Sequence, residues 1–171
     1  MENLLNKISS YNIVNYVLPG VVFSVVIIES TTVSFPIKDG RLFENMIVYY
    51  FLGMIISRVG SLIVAPLLKK IIEFPFARYE DYIKAEKLDD KISILLEEKN
   101  TYRTMIACFV LILIFLVLAY ICGEAKKPAV YLYGSSTVIL IILFCKAAKK
   151  QTKFIVDRVN NTIKSERERR L

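Results

Sequence analysis

The chain has 171 residues, 55% of them hydrophobic, with 23 Lys and Arg residues against 16 Asp and Glu residues. It contains no histidine, which excludes Ser–His–Asp triads, Cys–His dyads and histidine-containing zinc sites. Its three cysteines form no C-x-x-C pair, so the sequence predicts neither a disulfide framework nor a metal site. We therefore expect a protein that is not an enzyme and that binds no cofactor.

The hydrophobic residues are concentrated in four segments that are long enough to cross a membrane. A hydrocarbon core about 30 Å thick requires about 20 apolar residues in a helix, and such segments lie at about residues 11–28, 45–68, 104–122 and 130–145. The sequence therefore predicts an all-α integral membrane protein with four transmembrane helices. It divides into an N-terminal helix pair, a cytoplasmic helical segment, a C-terminal helix pair and a basic cytoplasmic tail, which cover residues 1–68, 69–103, 104–145 and 146–171.

Basic residues are distributed unevenly between the segments that flank these spans. If the N-terminus lies inside, the cytoplasmic segments carry 18 basic residues and the two outer loops carry 4. Because Lys and Arg accumulate on the cytoplasmic side of membrane proteins, we expect both termini to be cytoplasmic. The outer loops are too short to form an extracellular domain.

The first predicted helix contains Pro19 and Gly20 near its middle. Proline removes a backbone donor and clashes with the preceding turn of a helix. The pair therefore predicts either a simple kink or a hinge beside a cavity. Asn15 lies on the inner side of this pair, where its amide can hydrogen-bond to a neighbouring helix or line a polar interior.

The second predicted helix carries a stripe of small residues at a strict spacing of four, namely Gly53, Ser57, Ser61 and Ala65. Small residues on one helix face allow two backbones to approach closely, which is a main source of helix association in lipid. The stripe predicts a helix-packing surface. From the sequence, the contact lies either within one chain or between subunits.

Arg58 lies beside this stripe, near the middle of the second span. An arginine at this depth costs roughly 2.5–3.5 kcal/mol on insertion scales and usually faces the interior of a bundle or a wet cavity. Three roles remain open: lining a pore or polar interior, a structural hydrogen bond, or extension of the side chain toward the inner interface. Ser135 and Thr137, in the outer half of helix four, either line an outer vestibule or pack against helix three. Helix three itself is almost uniformly apolar, so we expect it to face lipid.

The cytoplasmic segment contains a heptad-like seam that continues into helix three. Its members are spaced 3, 4, 3, 4 and 3 residues apart, and they are Ala85, Leu88, Ile92, Leu95, Lys99 and Tyr102. This spacing is typical of the contact face between packed helices. We therefore expect helix three to begin well outside the bilayer and the seam to contact a second copy, the end of helix two or the C-terminal segment.

The C-terminal 26 residues are predicted to form a separate amphipathic helix with nine basic and three acidic residues. Three functions are open for it. It can set the membrane topology and contact anionic lipid, or it can dock on a partner or on the segment before helix three. It can also bind a nucleotide or nucleic acid, although no aromatic residues alternate with its basic ones, so direct nucleic-acid binding is not expected.

Three short segments resemble small multi-span membrane effectors of bacterial anti-phage defence. They are YFLGMIISRVGSL at Tyr50–Leu62, VLPG at Val17–Gly20 and NTYRT at Asn100–Thr104. The membrane effector of the Hailong system is the first candidate and the membrane subunit of the Kiwa system is the second. The resemblance implies a homo-oligomer, plausibly a tetramer, in the bacterial inner membrane, held in check by a soluble cytoplasmic defence protein. It also implies that the activated effector acts in abortive infection by permeabilising or depolarising the membrane.

Two functions therefore compete. The first is a homo-oligomeric effector that passes ions, in which a ring of Arg58 side chains favours anions. The second is a non-conducting scaffold or sensor whose cytoplasmic helices recruit a soluble partner. An enzyme or a transporter subunit is disfavoured, because the sequence contains no paired carboxylates in the spans, no nucleotide-binding loop and no internal repeat.

Overall fold

The computed structural model describes residues 13–37, 40–71 and 78–170, and most of these residues are helical. This described part of the chain contains no strand beyond an isolated bridge between Thr31 and Ala125. Four of its helical stretches are long and apolar enough to cross a membrane. The predictions of an all-α fold and of four candidate transmembrane helices are therefore confirmed by helix length and composition.

The N-terminal helix pair contains two π-helical turns. A π turn at Ile13–Val17 leads into helix α1, Leu18–Ser30. Helix α2, Leu42–Val59, leads through a second π turn at Gly60–Val64 into helix α3, Ala65–Ile71. Each π turn adds a residue to one turn and so rotates the face that the following residues present.

Pro19 lies in the first turn of α1, directly after the first π turn. Its nitrogen cannot donate to the carbonyl four residues earlier, and its ring would clash with that carbonyl in a regular α-helix. The wider π turn relieves the clash, because its hydrogen bonds span five residues. The kink or hinge predicted at Pro19 and Gly20 therefore corresponds to a change from a π turn to an α-helix next to Pro19. Residues 11 and 12 of the predicted first span lie outside the described residues.

The C-terminal helix pair is much longer than its apolar segments. A short polar helix, α4 at Tyr79–Leu88, precedes α5 at Lys91–Ile121, and α6 at Lys127–Arg170 follows a tight turn. With 31 and 44 residues, α5 and α6 are about 47 Å and about 66 Å long at 1.5 Å per residue. Helix three therefore begins well before residue 104, as predicted. The prediction of a separate helix after residue 145 is wrong, because α6 continues through Cys145 without a break.

The main core lies within the apolar spans and is built around α5. Its buried residues are Ile56, Val64, Met105, Ile106, Ala107, Cys108, Phe109, Ile112, Leu116 and Ala148. Most of them belong to α5, so the expectation that helix three faces lipid is wrong for residues 104–112, whereas Ile114, Val117 and Leu118 in its outer half are exposed. A uniformly apolar helix suits lipid and a ring of neighbouring helices equally well, since lipid tails are as apolar as leucine.

A second core lies outside the spans, in what we call the polar layer: α4, the start of α5 and the C-terminal half of α6. Ala85, Ile92, Ile155 and Val159 are buried there. The predicted seam thus packs against α6 of the same chain. The tail docks on the segment before helix three, one of the three functions left open for it.

The seam is interrupted between α4 and α5. Asp89 adopts an extended backbone that ends α4, and its carboxylate accepts a hydrogen bond from the Lys91 backbone N–H at 3.2 Å. Leu88 is 54% exposed, so within one chain it lies outside the buried contact that Ala85 and Ile92 make with α6. Leu95, Lys99 and Tyr102 are partly buried.

Candidate functional site

The tightest helix contact in the chain joins the π turn and α1 to α2. A Cβ atom added to Gly53 would lie 1.6 Å from the Tyr16 carbonyl oxygen, and one added to Gly20 would lie 1.9 Å from the Tyr49 carbonyl oxygen. No side chain fits at either position. Gly53, at the upper end of the small-residue stripe, therefore serves a contact within one chain, and Gly20 has a packing role beside any role as a hinge.

One helical turn below Gly53, three polar side chains from three helices meet inside the bundle. The Thr104 hydroxyl lies 2.9 Å from the Asn15 amide oxygen and 3.3 Å from the Ser57 hydroxyl oxygen, and the Asn15 amide nitrogen lies 3.4 Å from that same hydroxyl. All three residues are buried. We call this group the polar cluster; it joins the first π turn, α2 and α5.

The sequence explains why these three residues meet. Asn15 lies within the π turn before Pro19, and that turn directs its side chain inward. Ser57 follows Gly53 by one helical turn, on the face that α1 approaches. The Thr104 hydroxyl also lies 3.0 Å from the Asn100 carbonyl oxygen of its own helix, so its single proton has a second acceptor besides the Asn15 amide oxygen. The cluster contains only neutral donors and acceptors, so it can hold helices together or bind water but cannot carry a charge.

Buried polar groups continue above the cluster along α1. The Cys108 thiol lies 3.3 Å from the Pro19 carbonyl oxygen, so the irregular start of α1 has a partner on α5. Further along, the Ser24 hydroxyl oxygen is buried and has no hydrogen-bond partner among the described residues. The interior face of α1 therefore contains two polar groups, the Pro19 carbonyl oxygen and the Ser24 hydroxyl.

The residues of the small-residue stripe differ in burial along the helix. Ser61 is partly buried, and its hydroxyl donates to the Arg58 carbonyl oxygen at 3.0 Å. Ala65 is also partly buried and lines a pocket at the end of the bundle. The second π turn, which lies between Ser57 and Ala65, rotates the lower part of the stripe away from α1 and toward α5.

Arg58 points away from all of these groups. It is exposed, on the same face of α2 as Phe51 and Ile55, which are 58% and 47% exposed, and Leu62 in the second π turn is 75% exposed. A place in the interior of a single-chain bundle is thereby excluded. Any aqueous space that Arg58 lines must involve the outer surface of the chain.

Ser135 and Thr137 do not join the polar cluster. Ser135 is exposed and donates to the Leu132 carbonyl oxygen at 3.0 Å, whereas Thr137 is buried and donates to the Tyr133 carbonyl oxygen at 2.6 Å. Their hydroxyl groups are thus satisfied within α6 and lie on different faces of it. Of the residues singled out from the sequence, Asn15 and Ser57 meet in the polar cluster, and Ala65 and Lys99 line one pocket.

Two residues of the site were not found by sequence reasoning. They are Thr104 and Cys108, which stand at the edge of the apolar run of helix three. The available signal was their spacing of four, which puts a hydroxyl and a thiol on one face of an otherwise apolar helix. Within the described residues, no three metal-ligating side chains come together.

Comparisons of the chain with protein-family models, with curated proteins and with solved structures find no match.

Proposed function

We propose that the chain is a homo-oligomeric transmembrane effector that passes ions across the bacterial inner membrane when it is activated. The single observation that supports this proposal is the position of Arg58. It lies near the middle of a candidate span and is exposed on the surface of one chain. A charged side chain in that place requires either another protein surface or water.

Lipid alone does not satisfy the arginine. Insertion scales place the cost of a central arginine at roughly 2.5–3.5 kcal/mol, and such residues usually face protein or a wet cavity. Lys69 marks the inner end of the span, and the helical rise from Arg58 through the second π turn to Lys69 in α3 is about 16 Å for eleven steps at about 1.5 Å each. This distance exceeds the reach of an arginine side chain. Contact between copies supplies both protein and a confined aqueous space.

A ring of arginines also gives the proposed pore a selectivity. Rings of positively charged side chains favour anions in narrow pores. The exposed apolar residues Phe51 and Ile55, on the same face of α2, and Leu62, in the second π turn, would pack between copies and exclude lipid from the ring. The polar cluster, through buried Ser57 next to Arg58, would fix α2 so that Arg58 keeps its orientation.

The test is the reversal potential of currents through the purified protein in a planar bilayer under a salt gradient. Arg58→Glu reverses the charge that permeating ions meet, so we expect the selectivity to shift toward cations, whereas Arg58→Gln should only weaken the anion preference. Lys126→Glu makes the same charge reversal in an outer loop and serves as the control. A folded Arg58→Glu protein with the wild-type reversal potential would contradict the pore.

The role in anti-phage defence is part of the proposal and is supported by the sequence resemblance alone. It includes the soluble cytoplasmic partner that holds the effector in check and the placement of both termini in the cytoplasm. The asymmetry of basic residues supports that placement. The number of copies implied by the resemblance is four.

A second candidate function, a non-conducting scaffold, is favoured by a groove in the polar layer. The groove has a volume of about 340 Å³ and lies between α4 and the end of α6. Exposed Leu88 contributes an apolar surface among charged side chains of both signs, including Asp81, Lys84 and Arg167. Such a mixed surface suits a protein partner. Wild-type protein that binds its partner and carries no current under any trigger would favour this function.

A further inference from the structure

A basic pocket lies at the inner boundary of the apolar spans, one helical turn below the polar cluster. It has a volume of about 230 Å³ and is formed by α3, the start of α5 and the middle of α6. The proposed ion pathway does not use it. Its position is continuous with the site described above, because the carbonyl oxygen of Asn100, which lines it, lies 3.0 Å from the Thr104 hydroxyl.

Three cationic side chains converge on this pocket from two helices. Lys69 comes from α3, and Lys99 and Arg103 come from α5; the described lining residues include no carboxylate. Lys99 precedes the apolar segment of α5. Burial, followed by the positive charges of Lys69 and Arg103, lowers the pKa of its ammonium group. The three charges are therefore close enough to act on one another.

The lining on the membrane side of these cations is apolar. It consists of Ala65 and Leu68, and Leu68 also packs against the main core. Lys69 directly follows the apolar run of the second span, and Arg103 directly precedes that of the third. Leu96 precedes Lys99 on α5, so it lies farther from the apolar run than the cations do. The cations therefore lie at the depth of lipid headgroups, and Ala65 and Leu68 lie at the depth of the first acyl-chain carbons.

We propose that this pocket binds the phosphate group of an anionic lipid of the inner leaflet. An Arg guanidinium and two ammonium groups supply charge-assisted hydrogen bonds to phosphate oxygens, and basic pockets between helices on the cytoplasmic side are suited to anionic headgroups. The volume is below the roughly 300–1,000 Å³ of sites for drug-sized ligands, which suits a headgroup. Free inorganic phosphate presents the same chemistry, so the experiment includes it.

The experiment measures binding of phosphatidylglycerol, phosphatidylcholine and inorganic phosphate to the full chain in detergent by native mass spectrometry. Lys99→Gln removes one charge from the pocket, and Lys153→Gln removes the same charge from an exposed position on α6. We expect Lys99→Gln to weaken phosphatidylglycerol binding about tenfold or more, since a hydrogen bond to a charged group is lost. Lys153→Gln should change it by less than about twofold, because an exposed charge interacts weakly.

The ligands distinguish the two sources of phosphate. Retention of phosphatidylglycerol that millimolar inorganic phosphate does not displace assigns the pocket to lipid. Inorganic phosphate that binds with the same sensitivity to Lys99→Gln, without phosphatidylglycerol binding, overturns the lipid and leaves a free anion. Equal binding by the Lys99→Gln and Lys153→Gln proteins would show that this pocket is not the phosphate-binding site. If Lys99→Gln does not fold, Lys69→Gln gives the same comparison, because Lys69 is exposed.

Discussion

The Arg158 Nε lies 2.6 Å from the Asp89 Oδ2, across the corner where α4 ends and α5 begins. A second bond, from the Arg158 Nη2 to the Asp89 Oδ1, measures 3.2 Å. The arginine therefore binds both carboxylate oxygens, an arrangement with more geometric specificity than a single contact. Because the same carboxylate accepts the Lys91 N–H, Asp89 both ends one helix and attaches the corner to α6.

This pair predicts an acid-sensitive polar layer. The hydrogen bond from Arg158 holds the pKa of Asp89 below its ordinary value. The stabilisation is therefore complete above about pH 4, the ordinary pKa, and is lost as the pH falls through the lower folded value. We expect spin labels at Lys84 and Asn160 to separate on acidification in the wild-type protein.

Asp89→Asn should give separated labels already at neutral pH, with little further change in acid. Asp90→Asn removes a carboxylate at the adjacent position and serves as the control; it should behave like the wild-type protein. An equal response to acid in the wild-type and Asp89→Asn proteins would show that other carboxylates control the layer.

The polar cluster predicts a stability loss at Thr104. Thr104→Val keeps the shape of the side chain but removes the hydroxyl that contacts Asn15 and Ser57. Interhelical hydrogen bonds in membrane proteins contribute about 0.6 kcal/mol on average and up to about 1.7 kcal/mol, and we expect a loss in that range. Unfolding in mixed detergent measures it. Thr101→Val, whose hydroxyl bonds only within α5 to the Glu97 carbonyl oxygen, should lose less. Equal losses would mean that the cluster adds nothing to helix packing.

The contact between α1 and α2 predicts that even a methyl group is too large at Gly53. Gly53→Ala places a Cβ atom 1.6 Å from the Tyr16 carbonyl oxygen, so the helices must separate. We expect a large loss of folded protein in size-exclusion chromatography. Gly134→Ala, where nothing lies within 4 Å of the added atom, should be neutral or stabilise α6 by up to about 1 kcal/mol. Normal yield of folded Gly53→Ala protein would contradict the close approach.

Two residues of the predicted seam, Ile92 and Leu88, differ in burial at the second core, so their substitution should have different effects. Ile92 is fully buried among Ala85, Ile155 and Val159, so Ile92→Asp should release α4 and increase its cleavage by a protease. Leu88→Asp should leave this cleavage unchanged, because Leu88 is exposed. If Leu88→Asp alone abolishes binding of a soluble partner, the groove is the docking surface. Equal protease sensitivity of the two variants would contradict the break in the seam.

The sequence predicted the number and type of the spans because hydrophobic length is a property of each segment alone. It also predicted Asn15 and Ser57 as packing or polar positions, and the extension of helix three beyond the bilayer. It did not predict that helix three is central, since an apolar helix has no face that distinguishes lipid from protein. Nor did it predict that Ser57 is buried while Arg58 is exposed, because adjacent residues on a helix point only about 100° apart and the sequence gives no sign of which face is covered.

Two other differences between the predicted and the observed structure have local causes. The π turns at Ile13–Val17 and Gly60–Val64 shift the register of side chains after them, and hydrophobic periodicity counted at 3.6 residues per turn does not detect such a shift. The extended backbone at Asp89 ended the seam, although the apolar spacing passes through it without interruption. Local hydrogen bonding by an aspartate is a common reason for a helix to end.

The unbroken helix α6 rigidly connects the polar layer to the loop that precedes Lys127, at the opposite end of the bundle. Its 44 residues connect the polar layer, where Arg158 holds Asp89, to the outer loop, where the Lys126 N–H pairs with the Ser30 carbonyl oxygen. A rod about 66 Å long that tilts by about 5° displaces its far end by about 6 Å. Displacement of α4 by a soluble partner would therefore move the membrane segment of α6 as a lever, without any change within the helix itself.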